Sequence, residues 1–362
     1  MNPLQRLWDE FGQAVWLDYI ERDLMTGGGL ARLVADDGVR GVTSNPSIFH
    51  KAITSGEAYG DAIRTLVTER PTISTTELYE ALAIEDICGA ADVLRSVFDD
   101  ADGADGFVSL EVSPHLAHDT EGTVEEARRL WRQVDRPNLM IKVPATAAGL
   151  PAVETLISDG INVNVTLMFS LADYEGVAAA YLAGLERCAE PSRVASVASF
   201  FISRVDSVVD AQLDAIGSAD ALALRGTAAV ANACMAYRRF QEIFHGGAFA
   251  GHRDRGAKAQ RPLWASTSTK NPAYEDVKYV EELVGAETVN TIPTATLVAY
   301  RDHGKPSNAL AEGVKSCGEQ LEALHRVGID LDAVTAQLQV DGVAAFAASF
   351  DQLIAALEAS RH

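Results

Sequence analysis

The sequence predicts a closed (β/α)8 barrel of the TIM type, with extra helices at both ends of the chain. Eight short apolar runs are typical of strands, and amphipathic stretches with helix signals separate most of them. The chain has 362 residues, of which 48% are hydrophobic, so it can bury a large core. Strands alternating with helices indicate parallel strands joined by right-handed crossovers, and eight such units suggest closure. A doubly wound open sheet is the alternative, but no GxGxxG follows the first strand.

The elements are predicted in chain order, beginning with a helix over about residues 1–14. The eight predicted strands are VWLDYI (15–20), GVTSN (41–45), FVSLEVS (107–113), LMIKVP (139–144), NVNVTLMF (162–169), RVASVASFF (193–201), PLWAST (262–267) and TVNTI (288–292). The clearest helices are predicted over 123–134, 147–160 and 170–188. Apolar residues recur at i, i+3, i+4 and i+7 in the first of these, and Gly160 closes the second as a C-cap would.

The spacing between the predicted strands is uneven. Residues 46–106 hold two or more helices, and 205–260 form another long insertion. The basic stretch 246–259 reads either as a lid or as a solvated turn, and about 308–362 reads as a helical extension. With no internal repeat and no low-complexity linker, residues 1–362 are expected to form a single domain.

Composition limits the classes of partner. The net charge of −21 favours solubility and repels nucleic acid and anionic membranes, so an anionic substrate would need a local cationic pocket. The four cysteines lie far apart, which argues against structural zinc and disulfides and predicts reduced thiols in a cytoplasm. The first residues do not resemble a signal peptide, and no run approaches the ~18 uninterrupted apolar residues of a membrane span.

Lys142 interrupts the apolar run of the fourth predicted strand. Strands buried on both faces are usually near-continuous in Val, Ile and Leu. Burial disfavours the charged form of an amine, and a neutral amine can attack a carbonyl carbon to form a Schiff base. The iminium then accepts electrons, so that a neighbouring C–C bond can break. The alternative is a lysine whose head reaches solvent or a salt bridge.

Two carboxylates occupy comparable positions in other predicted strands. Glu111 lies in the third strand and could shuttle protons during Schiff-base formation, or form a structural ion pair. Asp18 lies in the first strand and could take the proton from the hydroxyl beside the breaking bond, or cap a helix. In a barrel, the carboxyl ends of the strands form the mouth of the active site.

Amides, hydroxyls and cations complete the candidate site. Asn45 precedes a proline and could hold a substrate hydroxyl or only satisfy a turn. Asn164 and Thr166 share one face of their strand, either toward a substrate or as ordinary buried polar groups. Anion-binding candidates follow the sixth and seventh strands and could equally be surface groups: Arg204, Ser266 and Lys270.

Four stretches of the chain together resemble the transaldolase family, in its longer bacterial subfamily. These stretches are GVTSNPSIF, SLEVSPHLAHDTEGTVEEA, NLMIKVPATAAGLPAVETLISDGINVNVTLMFS and VASFFISRVD. The resemblance extends over nearly the whole chain. It implies a (β/α)8 barrel enzyme of the non-oxidative pentose phosphate pathway that needs no metal or cofactor. Such an enzyme moves a dihydroxyacetone unit from sedoheptulose 7-phosphate to glyceraldehyde 3-phosphate, giving erythrose 4-phosphate and fructose 6-phosphate.

The resemblance also implies a role for each matching residue. Lys142 would be the Schiff-base lysine, Glu111 and Thr166 would work with a catalytic water, and Asp18 would handle the proton at cleavage. The remaining residues would bind substrate: Asn45 and Asn164 the dihydroxyacetone part, Ser199 and Phe201 the walls of the site, and Arg204 and Ser266 the phosphate. Where many family members carry Arg-Asn after a short Ala-Ser-Phe stretch, this chain has WASTSTKNP, so the phosphate role passes to Lys270.

Two other functions fit the same residues. A fructose-6-phosphate aldolase would share the lysine but release free dihydroxyacetone; such relatives are usually much shorter. A non-enzymatic sugar-phosphate-binding barrel would have no need of an amine nucleophile. The expected partners are small sugar phosphates in the cytoplasm, with the oligomeric state open between monomer and homodimer.

Overall fold

The computed structural model describes residues 1–55 and 57–361 of the chain. Its centre is a closed barrel of eight parallel strands in chain order, in which the first strand pairs with both the second and the eighth. The strands are β1 (Gln13–Leu17), β2 (Val39–Val42), β3 (Phe107–Glu111), β4 (Leu139–Pro144), β5 (Val163–Met168), β6 (Ser196–Phe201), β7 (Arg261–Ala265) and β8 (Thr288–Ile292). The predicted fold class is therefore confirmed.

Helices surround the barrel and extend the chain at both ends. They are α1 (Pro3–Asp9), α2 (Arg22–Thr26), α3 (Gly29–Asp37), α4 (Pro46–Ser55), α5 (Gly60–Glu69), α6 (Thr75–Val93), α7 (Arg95–Asp100), α8 (Thr120–Val134), α9 (Gly149–Ser158), α10 (Leu171–Arg187), α11 (Ser203–Ile216), α12 (Ala219–Leu222), α13 (Ala228–Phe244), α14 (Ala250–Asp254), α15 (Lys278–Glu281), α16 (Thr294–His303), α17 (Ala309–Gly313), α18 (Cys317–Arg326) and α19 (Leu331–Ala359). Short 3₁₀ turns lie at Glu57–Tyr59, Pro114–Leu116, Pro191–Arg193 and Gly247–Phe249.

The strands are buried on both faces. Outward-facing residues such as Leu110, Ile141 and Val165 pack beneath the helices, whereas the inward face carries polar residues such as Ser109 and Asn164. Parallel strands covered by crossover helices give this pattern, because each strand has helices outside it and other strands opposite it. The apolar strand residues therefore fix the barrel and leave its interior free for polar chemistry.

Local signals explain where many helices begin. Ser170 caps α10: its hydroxyl accepts a hydrogen bond from the backbone N–H of Asp173, and the Asp173 carboxylate accepts one from the N–H of Ser170. Gly160 follows α9 with a positive φ of 84°, as its predicted role at the helix end requires.

Several predicted boundaries at the start of the chain were wrong. The helix expected over 1–14 ends at Asp9, because Gly12 adopts a positive φ of 67° and Gln13 already pairs with Thr288 in the sheet. The first strand therefore occupies Gln13–Leu17 rather than 15–20, and Asp18 follows its end. The second strand ends at Val42 rather than at residue 45, and α4 begins at Pro46.

Other strands also differ from their predicted lengths. The third ends at Glu111, two residues early, because the backbone turns into the 3₁₀ helix Pro114–Leu116. The fifth is one residue shorter at each end. The sixth begins at Ser196 rather than residue 193, since Pro191–Arg193 forms a 3₁₀ turn. The seventh ends at Ala265, where Ser266 takes a positive φ of 57°.

The basic stretch 246–259 does not cover the barrel mouth. It contains Gly247–Phe249 and α14 and leads into the amino end of β7, which is the opposite end of the barrel. There the phenolic hydroxyl of Tyr181 donates to the Lys258 carbonyl, and the Arg255 guanidinium donates to the carbonyls of Leu185 and Cys188. The turn alternative describes this stretch better than the lid alternative.

The long C-terminal helix α19 crosses the mouth instead. Its Gln339 amide donates to the backbone carbonyls of Ala145 and Leu167, which lie at the carboxyl ends of β4 and β5. Ser349 also contacts Ser47 of α4, with 2.8 Å between hydroxyl oxygens. By length and composition alone this helix could span a membrane, but Phe346, Leu353 and Leu357 on one face are buried.

Candidate active site

A cavity of about 180 Å³ opens at the carboxyl ends of the strands, beneath α19. Nine of the predicted site residues line it: Asp18, Asn45, Lys142, Thr166, Ser199, Phe201, Arg204, Ser266 and Lys270. The two others reach the site through neighbours, Glu111 through Lys142 and Asn164 through Ser199. The structure thus brings the whole predicted set together.

Lys142 lies at the centre of this arrangement and is only 5% exposed. Its strand pairs with β3, so that Glu111 lies directly beside it in the register. The Lys142 Nζ is 3.1 Å from Glu111 Oε2 and donates to the backbone carbonyl oxygen of Ser44 over 3.1 Å. The Lys142 head therefore does not reach bulk solvent, but it does form the salt bridge that the alternative allowed, with Glu111 as its partner.

Glu111 is nearly as deeply buried as its partner. Burial raises the pKa of its carboxyl, while the neighbouring ammonium group of Lys142 opposes that rise. Its second oxygen, Oε1, has no hydrogen-bond partner among the described residues, and the same holds for the hydroxyl of Thr166. Buried polar atoms are normally paired, so an unpartnered oxygen on Glu111, beside Lys142, and another on Thr166, which lines the cavity, are chemically notable.

Asp18 is positioned by a chain of hydroxyls that crosses three strands. The Thr43 hydroxyl, after β2, donates to Asp18 Oδ1 over 2.7 Å and lies 2.6 Å from the Thr291 hydroxyl of β8. Since a hydroxyl carries one proton, Thr291 must donate to Thr43 when Asp18 is ionised. Burial raises the pKa of the Asp18 carboxyl, opposed by the Thr43 hydrogen bond and by Lys142 and Lys270.

The two asparagine candidates, Asn164 and Asn45, differ in their hydrogen-bond partners. Asn164 is fully buried: its amide donates to the Ser109 hydroxyl over 3.0 Å, and its carbonyl accepts from Ser199 over 2.6 Å. Asn45 lies at the start of α4 and accepts a hydrogen bond from the backbone N–H of Ile48 over 3.0 Å. The Asn45 side chain therefore stabilises the turn, as one alternative expected, and it also lines the cavity.

Two cations border the cavity on the side of β6 and β7. Arg204, in the first turn of α11, has its guanidinium carbon 5.3 Å from the ring centroid of Phe201, and burial lowers the pKa of its guanidinium. Lys270 is exposed and donates to the Ser268 hydroxyl over 2.6 Å. Ser266 lies between them, 3.0 Å from the Ser203 hydroxyl. An anionic group in this part of the cavity would meet two positive charges and the hydroxyls of Ser266 and Ser268.

Sequence reasoning missed seven of the residues that line the cavity: Thr43, Ser47, Ala265, Ser268, Thr291, Pro293 and Phe346. The threonines could have been found, because Thr43 precedes Asn45 by two residues and Thr291 lies near the end of the eighth strand, where mouth residues are expected. Phe346 lies 15 residues into α19, and nothing in its local sequence distinguishes it from the apolar residues around it.

A second cavity of about 240 Å³ lies behind β3, between α6, α8 and α19. Three carboxylates line it, and each has a partner. Glu80 accepts from the Arg129 guanidinium over 2.6 and 2.7 Å, and Glu126 accepts from the backbone N–H of Ser113 over 2.5 Å. The third is Glu111, which borders this cavity rather than the first and pairs with Lys142. Without an amine among its lining residues, this cavity does not offer the chemistry of the first.

The first cavity combines an amine nucleophile, the half-buried carboxyl of Asp18 and a cationic end, and the buried carboxyl of Glu111 lies beside the amine. Such an arrangement can form an imine with a carbonyl substrate, move protons during its formation, and hold an anionic group of the substrate.

The profile of the family described as Transaldolase/Fructose-6-phosphate aldolase matches residues 15–357. A transaldolase of Thiobacillus denitrificans is 51% identical over 348 residues, covering 95% of this chain and 96% of its own. Transaldolase 1 of Streptomyces coelicolor is 49% identical over 364 residues, covering 99% and 95%. A transaldolase of Mycolicibacterium smegmatis is 46% identical over 362 residues, covering 99% and 97%.

Proposed function

Because the chain belongs to the transaldolase/fructose-6-phosphate aldolase family and is a transaldolase, we propose that Lys142 carries its Schiff-base chemistry. The reaction moves a dihydroxyacetone unit from sedoheptulose 7-phosphate to glyceraldehyde 3-phosphate, which leaves erythrose 4-phosphate and forms fructose 6-phosphate. The observation that carries the proposal is the burial of Lys142 against Glu111, 3.1 Å away, at the floor of a cavity with a cationic end.

Glu111 moves the protons of imine formation. The ketose carbonyl is attacked by the Lys142 amine, and loss of water from the carbinolamine needs an acid beside the departing hydroxyl. Burial raises the pKa of Glu111, which brings this carboxyl closer to the range where it can both hold and release a proton. The unpartnered Glu111 Oε1 and Thr166 Oγ1 offer an acceptor and a hydroxyl to hold the water involved.

Asp18 acts at the cleavage step. In this proposal it takes the proton of the hydroxyl on the carbon that becomes the leaving aldehyde, while the C–C electron pair moves toward the iminium. The electron sink is the iminium itself, so the proposed chemistry needs neither metal nor cofactor. The hydroxyls of Thr43 and Thr291 fix the orientation of the Asp18 carboxylate.

The remaining residues hold the substrate at its two ends. Asn45, Asn164 and Ser199 are assigned to the dihydroxyacetone part, near Lys142, with Phe201 as a wall of the site. Arg204, Ser266 and Lys270 are assigned to the phosphate at the other end. Lys270 has a compact ammonium group, whereas an arginine would offer several N–H donors in a fixed plane. The contact of Lys270 with phosphate is therefore less directional.

The proposal extends to the setting of the enzyme. We propose that residues 1–362 form one domain and that the partners are small sugar phosphates. We also propose a cytoplasmic location, a monomer or homodimer, and no binding to nucleic acid or membranes. The net charge of −21 supports this setting, because it repels polyanions and keeps the protein in solution.

The decisive experiment traps the covalent intermediate. The enzyme is incubated with fructose 6-phosphate, reduced with borohydride and mapped by mass spectrometry. We expect the adduct on Lys142 and none in Lys142→Met. The control Lys258→Met, which alters a half-buried lysine at the other end of the barrel, should be labelled as in the wild type. A label on a different lysine, or no label, contradicts the proposal.

A fructose-6-phosphate aldolase is the second candidate function, because the family description includes that activity. Acceptor dependence separates the two. With fructose 6-phosphate alone, a transferase stalls as the bound enamine after about one turnover per site, whereas an aldolase releases dihydroxyacetone continuously. We expect a burst of product equal to the number of active sites, followed by continued turnover only when erythrose 4-phosphate is added.

A further inference from the structure

The ring of Phe346 covers the reacting nitrogen from the side of the C-terminal helix. Its centroid lies 5.4 Å from Lys142 Nζ, and the residue is 5% exposed. The ring also lines the 180 Å³ cavity, opposite the barrel interior from which the lysine projects. Among the residues that line the cavity, Phe346 of α19 is the one that covers the amine from this side, and no strand residue does so.

The helix that carries this ring is fixed over the mouth at close range. Gln339 donates to the Ala145 and Leu167 carbonyls over 3.1 and 3.2 Å, two turns before Phe346. Gly342, one turn before it, lies so near Leu167 that a Cβ there would be 3.0 Å from Leu167 Cδ2. The ring is therefore held at a set height above Lys142.

Attraction between the ring and a cation does not by itself explain a role for Phe346. The ammonium form of the amine and the later iminium are both cations, so the ring stabilises both and changes their balance little. The enamine between the two half-reactions is neutral and differs from both. Its nucleophilic carbon is two bonds from the nitrogen, within the space that the ring covers.

Water is the competing reactant for that carbon. If water reaches it, the C=C electron pair takes a proton from water and the nitrogen lone pair restores the iminium. The hydroxide formed adds to the iminium carbon, a proton passes from oxygen to nitrogen, and the C–N bond breaks with its electrons going to nitrogen. The sum is enamine plus water giving dihydroxyacetone plus the free amine, and the transfer is lost.

We propose that Phe346 sets the partition of the enamine between transfer and hydrolysis by excluding water from the Lys142 adduct. The proposal rests on the Schiff-base role of Lys142 stated above. The proposal gives the C-terminal helix a part in reaction specificity. The apolar ring keeps water away from the adduct, whereas an aldehyde acceptor can still enter from the cationic end of the cavity.

The test measures a ratio within one reaction mixture. Enzyme, fructose 6-phosphate and erythrose 4-phosphate are mixed, and dihydroxyacetone and sedoheptulose 7-phosphate are quantified by NMR. In Phe346→Ala the ratio of dihydroxyacetone to sedoheptulose 7-phosphate should rise about tenfold, the effect of roughly 1.4 kcal/mol between two competing steps. Because both products come from the same folded molecules, a loss of folded protein does not change the ratio.

Two further variants isolate the cause. Phe346→Leu keeps an apolar cover without a π face and should stay within about twofold of the wild type. Phe350→Ala, one turn further along α19, removes a ring that packs on Tyr79 and His115 and should also leave the ratio unchanged. If Phe346→Ala folds too poorly to assay, Phe346→Val replaces it, with a smaller rise expected in the same direction.

The outcomes separate this inference from the proposed function. Borohydride labelling is run on every variant. A label on Lys142 in Phe346→Ala with an unchanged product ratio overturns the role of Phe346 and leaves the Schiff base intact. Equal leakage in Phe346→Leu and Phe346→Ala overturns the apolar-cover explanation. A wild-type enzyme without label on Lys142 refutes the proposed function itself.

Discussion

At the scale of one residue, the catalytic role proposed for Glu111 depends on the burial of its carboxyl. Its carboxyl is almost removed from solvent, one oxygen pairs with Lys142, and the other has no partner among the described residues. Desolvation raises the pKa of the carboxyl, and the adjacent amine keeps the charged form accessible. A surface carboxylate would have neither property.

Replacing this carboxyl should slow the chemistry without unfolding the protein. In Glu111→Gln the amide fills the same space but cannot exchange a proton, so imine formation should slow by about 10²–10⁴-fold. Single-turnover trapping with borohydride measures that rate. Glu80→Gln, behind the same strand and outside the first cavity, is the matched control. Wild-type turnover in Glu111→Gln would remove this residue from the mechanism.

A second buried carboxyl predicts a pH effect on stability. Asp206 accepts hydrogen bonds from the Ala229 N–H and the Tyr279 hydroxyl, and burial raises its pKa from 3.8 to about 6. Because the folded-state pKa is the higher one, folding favours the protonated form. The stabilisation is fully present below about pH 4 and is lost as pH rises through about 6, a change of roughly 3 kcal/mol.

Urea unfolding across this range tests the effect. Between pH 5 and 7 the wild type should lose roughly 1 kcal/mol of unfolding free energy through Asp206, and Asp206→Asn should lack that loss. Asp220→Asn, at an exposed position on α12, should follow the wild type. Parallel pH profiles for wild type and Asp206→Asn would show that this carboxyl does not titrate in the window.

Among the elements, α11 connects the phosphate end of the site to the rest of the fold. It carries Arg204 in its first turn, and nearly two turns later Asp210 accepts a hydrogen bond from the Tyr274 hydroxyl over 2.7 Å. Tyr274 belongs to the segment that follows Ser266 and Lys270. The helix and this loop are thus fixed together, which sets the distance between the two cations.

Removing that link should weaken substrate binding more than turnover. Tyr274→Phe deletes one hydrogen bond, worth about 1 kcal/mol, so the KM for fructose 6-phosphate should rise about fivefold with kcat within about twofold. Steady-state kinetics measure both constants. Tyr300→Phe removes a buried hydroxyl that has no partner among the described residues and should leave KM unchanged. An unchanged KM in Tyr274→Phe would mean that the loop holds its place without this bond.

The elements also show how far sequence reasoning reached. Alternation of strands and helices was enough to predict the barrel, and polar residues interrupting apolar strands were enough to find Lys142, Glu111 and Asp18. Strand ends were less predictable because they depend on turns such as Gly12 and on pairing with distant strands. The place of Phe346 depends on a contact between residues about 200 positions apart, which no local pattern encodes.

Across the whole molecule, a strongly acidic surface surrounds a cationic pocket. The net charge of −21 opposes the approach of a phosphorylated substrate over long distances, whereas Arg204 and Lys270 attract it only at short range. Salt screens the first effect more than the second, because the Debye length falls from about 30 Å at 0.01 M to about 8 Å at 0.15 M.

Ionic strength should therefore help this enzyme. We expect kcat/KM for glyceraldehyde 3-phosphate to rise about twofold between 0.01 and 0.15 M salt. The uncharged acceptor glyceraldehyde, assayed with the same donor under saturating conditions, should show no such rise. A steady fall for the phosphorylated acceptor would mean that the pocket cations, rather than the acidic surface, govern the encounter.

The hydroxyl chain from Thr291 through Thr43 to Asp18 joins the last strand of the barrel to the first two. During synthesis, the amine and its carboxylate partner at position 111 leave the ribosome long before the eighth strand does. Until that strand pairs with β1, the Thr43 hydroxyl that donates to Asp18 lacks its partner Thr291. If Lys142 and Asp18 have the roles proposed above, a chain lacking the eighth strand would hold the nucleophile without an oriented proton acceptor, so closure of the sheet would complete the site.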